Sequence, residues 1–177
     1  MRKSIGAALG AVAMMSAAAP SSPALAQAGI STNPPPVETQ DYIRAVHALS
    51  RYEVDASRLA LTRSQAQASR SFARMMVDHH TRMMAEYARM LNIPAAADSE
   101  GALAGPLSQM LDTLKNTPAA EFDARYRQGQ IAAHEEALKV HSAYAARGND
   151  AALRAKAEVA MPVIQKHLDK ARKLPGA

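Results

Sequence analysis

Apolar side chains recur every three or four positions in four long stretches of this 177-residue chain, and this spacing constrains its fold more than any other feature. A repeat of that length places the apolar residues along one face of an α-helix. The first two faces read Tyr42, Val46, Leu49, Ala56 and Ala60, and then Phe72, Met76, Met83 and Tyr87. Such faces are buried most readily against one another, so the pattern predicts an all-α four-helix bundle.

Turn and capping residues set the boundaries of the first pair of helices. Thr39 is the expected N-cap of a helix that runs to about Ser64, and a polar bend over residues 65–69 precedes a second helix that ends near Leu91. Because the bend is short, we expect these two helices to pack side by side in opposite directions.

The second pair of helices follows the same logic. A third helix begins after Thr117-Pro118 and ends at Gly148, and a fourth begins after Asn149 or Asp150, runs to about Leu174 and is expected to kink at Pro162.

The connection between the two pairs, residues 92–117, is long enough to cross the bundle. It contains an apolar repeat that predicts one short extra helix within the crossover: Leu103, Leu107, Met110, Leu111 and Leu114.

The N-terminal residues have the pattern of a secretory signal peptide. Arg2 and Lys3 precede an apolar run over residues 5–19, and Ala24-Leu25-Ala26 supplies the small residues that a signal peptidase reads. We expect cleavage before Gln27, which would send the protein to the periplasm or outside the cell. An N-terminal membrane anchor is the less favoured alternative, because the apolar run is short and prolines follow it.

Removal of a signal peptide over residues 1–26 would leave an extended, Pro-rich lead-in (27–38) and the bundle domain (39–177). No later apolar segment is long enough to span a bilayer, and the lack of Cys excludes disulfides. The formal net charge of +5 falls to +3 without Arg2 and Lys3, and the basic residues are spread along the chain. Nucleic-acid binding, which needs a dense basic stripe, is therefore not expected, whereas protein partners and homo-oligomers stay open.

Each of the four apolar faces is interrupted by one side chain of a metal-ligand type: Glu53, His80, His134 or His167. Burying an ionisable group without a partner costs several kcal/mol, so one shared internal site explains the four better than four independent exceptions. Three imidazoles and one carboxylate suit Zn, Fe, Mn, Ni or Cu(II). The sequence therefore predicts a transition-metal site in the bundle core.

Distances from the turns test whether these side chains share a level. Glu53 and His80 lie almost equally far from a bend centred near Ala66, so an antiparallel pair brings them to the same height. His134 lies closer to the turn at Gly148 than His167 does, by roughly one helical turn.

Ligating histidines usually donate their second nitrogen to an oxygen acceptor, and Asp78, Asp123 and Glu135 are the candidate acceptors or additional ligands. The alternative interpretation is that the polar residues of the apolar faces form ordinary hydrogen bonds and only fix the packing of the helices.

The remaining histidines are expected outside the site. His79 is turned by about 100° around the helix from His80, so only one of the two is expected to point straight inward. His47 and His141 are expected at the surface or at its boundary.

The segment 75–84 permits a second metal chemistry. Met76, His80 and Met84 recur at helical spacing, and thioethers with an imidazole bind Cu(I). Met on an inner helix face is more often a space-filling residue, so we favour packing for these methionines.

Catalytic motifs are missing from the sequence. It contains no Cys nucleophile, no Gly-rich phosphate loop and no nucleophile elbow. This pattern favours a protein that is not an enzyme, and any hydrolytic site would have to be metal-based.

Several short motifs, in order along the chain, carry a family resemblance: Glu53-Val54, the run from Phe72 to Thr81, Glu121-Phe122-Asp123, His134-Glu135-Glu136-Ala137, and His167-Leu168. From Asp41 to Leu174 the chain resembles the domain of unknown function 4142 family. The resemblance implies a ferritin-like bundle exported by bacteria, and it implies no established activity. It places His80, rather than His79, at the histidine position of the family.

The chain differs from the di-iron pattern of true ferritins, which needs Glu-x-x-His motifs. Val77 and Ile164 occupy the positions three residues before His80 and His167. A mononuclear site therefore fits better than a di-iron centre.

Three functions follow as hypotheses. The first is an exported metal-binding bundle that protects the cell envelope under metal or oxidative stress. The second is a structural or interaction protein without metal. The third is a metal-dependent enzyme, which needs an open coordination position and a pocket that reaches solvent.

Overall fold

The computed structural model describes residues 34–90, 103 and 105–176. The predicted signal peptide (1–26), most of the lead-in and the end of the second predicted helix lie outside the described residues.

Five α-helices contain most of the described residues: α1 (Thr39–Arg63), α2 (Gln67–Met90), α3 (Gly105–Asn116), α4 (Phe122–Arg147) and α5 (Ala151–Ala171). A 3-10 turn, Ala119–Glu121, precedes α4. Strand-like pairing in the described part of the chain is confined to one isolated bridge between Val37 and Gly148. The prediction of an all-α chain, with a short helix in the connection between two helix pairs, is confirmed. None of the described helices combines the length and apolar character needed to cross a membrane.

The helix ends differ from the predicted ones by a few residues. Glu38, not Thr39, is the N-cap of α1, and the Thr39 hydroxyl lies 2.5 Å from Asn149 Oδ1 instead. Asp150 caps α5 as expected, since its side chain accepts a hydrogen bond from the Leu153 amide at 2.8 Å. The helix α5 continues through Pro162 and ends at Ala171.

Gly148 ends α4 for a packing reason. Its backbone is extended, with φ −62° and ψ 147°, so a left-handed conformation does not explain the glycine. A Cβ at this position would lie 2.6 Å from the ring of Tyr144, which covers the end of the helix.

The helix α1 packs against both α2 and α4, and α4 packs against α5. Ser57 Oγ lies 2.9 Å from the Tyr126 hydroxyl, and the Tyr42 hydroxyl lies 3.0 Å from His141 Nδ1, so α1 and α4 run in opposite directions. Side chains link α2 to α5, including an ion pair of 2.7 Å between Glu86 and Lys156.

The apolar core has two clusters. The first, the α3-side cluster, includes Ala56, Phe72, Met76, Leu114, Phe122 and Tyr126. The second, the α5-start cluster, includes Tyr42, Ile43, Val46, Tyr144, Leu153 and Ala157. Along α2, His80 lies between Met76 of the α3-side cluster and Met83, which packs against the α5-start cluster. Along α5, His167 lies between Ala157 of the α5-start cluster and Ala171 of the α3-side cluster. These two predicted histidines therefore lie at the level where the two apolar clusters meet.

Candidate metal centre

Three helices each place one histidine at this level. His80 of α2, His134 of α4 and His167 of α5 are 9%, 2% and 6% exposed. One nitrogen from each ring lies within 4.8 Å of the other two. The ring centroids of His134 and His167 are 5.5 Å apart, and that of His80 lies 6.0 Å from the former and 6.1 Å from the latter. The folding of the bundle thus brings together residues that are far apart in the sequence, and we call these three residues the histidine cluster.

The backbone of α4 sets the protonation of His134. Its Nδ1 donates a hydrogen bond to the carbonyl oxygen of Gln130, 2.8 Å away and one turn earlier in the same helix. With the proton on Nδ1, the lone pair remains on Nε2, which is the form in which an imidazole binds a metal ion.

Glu53 lies beside the histidine cluster rather than among its three close nitrogens. Its Oε1 atom is 3.3 Å from His134 Nδ1, and its side chain is buried. Burial raises the pKa of Glu53 well above 4.5. The protein alone therefore favours a protonated Glu53, and a nearby cation would favour the carboxylate.

Burial keeps the imidazoles of the cluster neutral. It lowers the pKa of His134 to about 4, and burial together with the neighbouring histidines lowers the pKa of His167 to about 3. The pKa of His80 is also held well below 6.5, first by burial and then by the charges that His134 and His167 would carry. Neutral imidazole is the metal-binding form, so the ligands need not lose a proton at neutral pH.

Several polar atoms of this level are buried without a hydrogen-bond partner among the described residues. They are both ring nitrogens of His80, Nε2 of His134 and both carboxylate oxygens of Glu53. Each such atom costs about 1–3 kcal/mol, which is the penalty of losing its water. A cation at the cluster would satisfy imidazole and carboxylate lone pairs together.

The spacing of the cluster is close to that of a metal site. Metal–nitrogen bonds of about 2.0–2.1 Å place the ligand nitrogens of a tetrahedral ion about 3.4 Å apart. The observed nitrogens lie within 4.8 Å, so the rings would have to close by up to about 1.4 Å. The residues fit a mononuclear ion with three imidazole ligands, next to Glu53.

The three predicted acidic partners lie elsewhere. Asp78 is exposed and pairs with Arg82 on the outer face of α2. Asp123 accepts a hydrogen bond from Ser64 at the first turn of α4, and Glu135 pairs with Arg172 at 2.9 Å. The expectation that they support the ligands is corrected, because Asp78 and Glu135 occupy outward-facing helix positions and Asp123 lies in the first turn of α4, beside Ser64. The Gln130 carbonyl and Glu53 contact His134 in their place.

His141 is the buried histidine that the sequence analysis misplaced. It is 1% exposed and lies 3.0 Å from the Tyr42 hydroxyl. It follows His134 by two helical turns on the same face of α4, and this spacing was the signal for its burial. His47 is half-buried, in agreement with a boundary position.

His79 has a contact that the sequence did not predict. Its side chain is half-buried, and its Nδ1 lies 3.0 Å from Nε2 of His167. As expected, His80 is the more buried of the two neighbours. His79 nevertheless reaches the outer edge of the histidine cluster from the α2 side.

The methionines of α2 have separate surroundings. Met76 is fully buried in the α3-side cluster with Phe72, as expected for a packing residue. Met84 is half-buried, and Met83 packs against the α5-start cluster. The three close nitrogens of the histidine cluster are therefore not accompanied by a described group of Met76 and Met84 around His80.

A cavity of about 550 Å³ adjoins the histidine cluster. All three cluster histidines and Glu53 line it, together with largely apolar residues of four helices. A metal ion held by three protein ligands would keep a coordination position for a further ligand, and the cavity offers space for that ligand.

Comparison with known proteins identifies a family that covers the helical region of the chain. The family model described as a domain of unknown function (DUF4142) matches residues 19–174, a range that includes Glu53 and the histidine cluster. The comparison with curated proteins and that with solved structures each found no match. The match extends over most of the sequence, and the chain therefore belongs to the DUF4142 family.

Proposed function

We propose that this protein is an exported helical bundle that binds one transition-metal ion in its core through His80, His134 and His167. The observation that carries the proposal is the convergence of three buried, neutral imidazoles from three helices, with one nitrogen of each within 4.8 Å of the others. Buried imidazole nitrogens and carboxylate oxygens without partners are costly in a protein alone, and a bound cation removes that cost.

Glu53 has a defined role in this proposal. A dication among three neutral imidazoles carries two positive charges that no histidine compensates, and ionised Glu53 would offset one of them. Its contact with His134 Nδ1 would also hold that ring in place, as oxygen acceptors do behind many metal-binding histidines.

The donor set favours particular metals. Imidazole with a carboxylate suits Zn, Fe, Mn and Cu(II), and the ion would supply Lewis acidity or, for the redox metals, electron transfer. The bridging carboxylates of a di-iron centre have no equivalent around the described cluster, so we propose a mononuclear site.

The proposed location is the periplasm or the exterior, which rests on the signal-peptide pattern over residues 1–26. In that compartment, a buried site that takes up a free ion would suit a role in protection against metal stress of the envelope.

The alternative is a structural or interaction protein in which the same residues fix the register of the helices. Such a role would require that the polar atoms be satisfied by one another. The two ring nitrogens of His80 are buried and have no hydrogen-bond partner among the residues that the structure describes, which supports metal binding over this alternative.

The test is elemental analysis of the mature protein, purified without a histidine tag, together with its melting temperature before and after chelation. We expect close to one ion per chain and a fall in melting temperature when it is removed. His80→Gln and His134→Gln should each lose the ion, whereas the matched control His141→Gln, another buried histidine, should retain it. Metal-free protein whose melting does not respond to added Zn, Fe, Mn or Cu would refute the proposal.

A further inference from the structure

The cavity beside the histidine cluster is larger than a metal ion needs. Its volume of about 550 Å³ is in the range of sites that enclose small organic molecules. It is lined by residues from α1, α2, α4 and α5, so it lies inside the bundle rather than on one helix surface.

The walls of the cavity are apolar over most of its length. Val46 and Leu49 of α1, Ala137 of α4 and Ala160 and Ile164 of α5 form part of them. Along α4 the cavity extends from His134 to His141, seven residues later, which corresponds to about 10 Å at 1.5 Å per residue. An elongated apolar molecule fits this shape.

The opening of the cavity is also apolar on the α5 side. Val159 is 74% exposed and Val163 is 48% exposed, and both line the cavity. Exposed apolar side chains that are continuous with a buried apolar cavity are typical of a ligand-binding groove. Glu86 of α2 and Lys156 of α5 also line the cavity, and they form an ion pair that offsets the charge of both residues.

The polar end of the cavity is the histidine cluster. Three protein ligands leave a coordination position free on a four-coordinate ion. With Glu53 ionised, a bound dication would still carry one uncompensated positive charge in a buried place, and an anionic oxygen ligand would neutralise it.

We propose that the cavity binds a medium-chain monocarboxylic acid, with its carboxylate on the metal ion at the histidine cluster and its alkyl chain along the apolar walls. This inference rests on the proposed metal site and adds the chemical class of the second ligand.

The experiment uses full mature protein that carries one zinc ion per chain by elemental analysis, titrated with decanoate by calorimetry. Decanol has the same chain without the carboxylate, and acetate has the carboxylate without the chain. We expect decanoate to bind at least tenfold more tightly than either, and we expect its affinity to fall at least tenfold after zinc is removed by chelation.

Substitutions locate the binding site. Ala137→Leu and Ala160→Leu fill the cavity from two helices and should weaken decanoate binding at least tenfold without changing the zinc content. The matched control Ala132→Leu lies on an exposed position of α4 outside the cavity and should leave both unchanged.

Weak or absent decanoate binding by the zinc-loaded protein would overturn the inference, as would binding that is insensitive to zinc removal or to both cavity substitutions. A wild-type protein that holds no zinc or other metal contradicts the proposed function itself. Elemental analysis detects that failure before any acid is added, so the two failures can be distinguished.

Discussion

The buried histidine outside the cluster makes the stability of this bundle sensitive to mild acid. His141 is 1% exposed, and burial lowers its pKa to about 4 from the usual 6.5. Between these two pH values the unfolded chain binds a proton at this residue that the folded chain does not. Stability from this residue is therefore fully present above about pH 6.5 and is lost as the pH falls towards 4.

The two pKa values give the magnitude. At pH 7 the unfolded state gains about 0.2 kcal/mol from protonation of this imidazole relative to the folded state, and at pH 5 it gains about 2 kcal/mol. His141→Gln removes the titrating group while keeping a side chain that can accept a hydrogen bond from Tyr42. Whatever the substitution costs in packing, that cost should be nearly independent of pH.

Urea unfolding at pH 7, 6 and 5 in the presence of a chelator measures the effect. We expect the free energy of unfolding of the wild type to fall by about 2 kcal/mol more than that of His141→Gln between pH 7 and pH 5. Tyr42→Phe is the control, since it removes the hydrogen bond but keeps the imidazole, and it should retain the pH dependence of the wild type. If the difference between wild type and His141→Gln is the same at pH 7 and pH 5, the reasoning is refuted.

Two further predictions concern α1 and its partner α4. A Cβ on Gly129 would lie 2.2 Å from the Tyr52 hydroxyl oxygen but 3.5 Å from the ring carbon that bears this oxygen. Because of the clash with the hydroxyl, Gly129→Ala should destabilise the wild type by about 1–2 kcal/mol in thermal or urea unfolding. In a Tyr52→Phe protein the clash is absent, and the same substitution should stabilise the helix by up to about 1 kcal/mol. Equal effects of Gly129→Ala in the two backgrounds would contradict this contact. Burial raises the pKa of Glu53, so the folded metal-free protein holds a proton that the unfolded chain releases, and its stability falls as the pH rises above about 4.5. Glu53→Gln should therefore gain stability relative to the wild type, by up to about 1.4 kcal/mol per pH unit, when chelated samples are compared from pH 5 to pH 7, and a constant difference would argue that Glu53 is already ionised.

The helical faces were predictable because the signal is local. The α1 face read from the sequence as Tyr42, Val46, Leu49 and Ala56 is buried in the structure at each of these positions. A repeat near 3.6 residues encodes which side of a helix is buried before any partner is known. The ferritin-like form of the bundle stays a prediction, since it depends on the crossover, part of which lies outside the described residues.

The partners of the site residues could not be read in the same way. Asp78 and Glu135 each adjoin a predicted ligand within two positions in the sequence, yet a shift of one or two residues turns a helical side chain to another face. Asp78 lies with Arg82 and Glu135 with Arg172 on the outside of the bundle. The acceptor that His134 does use, the Gln130 carbonyl, is a backbone group that any sequence offers.

The direction of the side chains explains why His134 and His167 meet although their backbone positions differ in height by roughly one helical turn. Helical side chains lean towards the N-terminus of their own helix. In the antiparallel pair α4 and α5, His134 leans away from the turn at Gly148 and His167 leans towards it, so the two leans close an offset of roughly one helical turn and the rings end 5.5 Å apart. In the pair α1 and α2, Glu53 and His80 start at one level and lean apart. The carboxylate accordingly contacts His134 and lies beside the three close nitrogens rather than among them.

The histidine cluster lies where two apolar clusters meet, and burial of those apolar side chains offsets the free-energy cost of burying the polar ones. The α3-side cluster and the α5-start cluster bury large aromatic and aliphatic side chains that pack the helices together. The level of the histidines can then hold neutral imidazoles and a buried Glu53 at a free-energy cost that the apolar clusters offset. An ion that binds only the folded chain adds to stability by mass action, so the same polar atoms that weaken the metal-free bundle would couple its folding to the supply of metal.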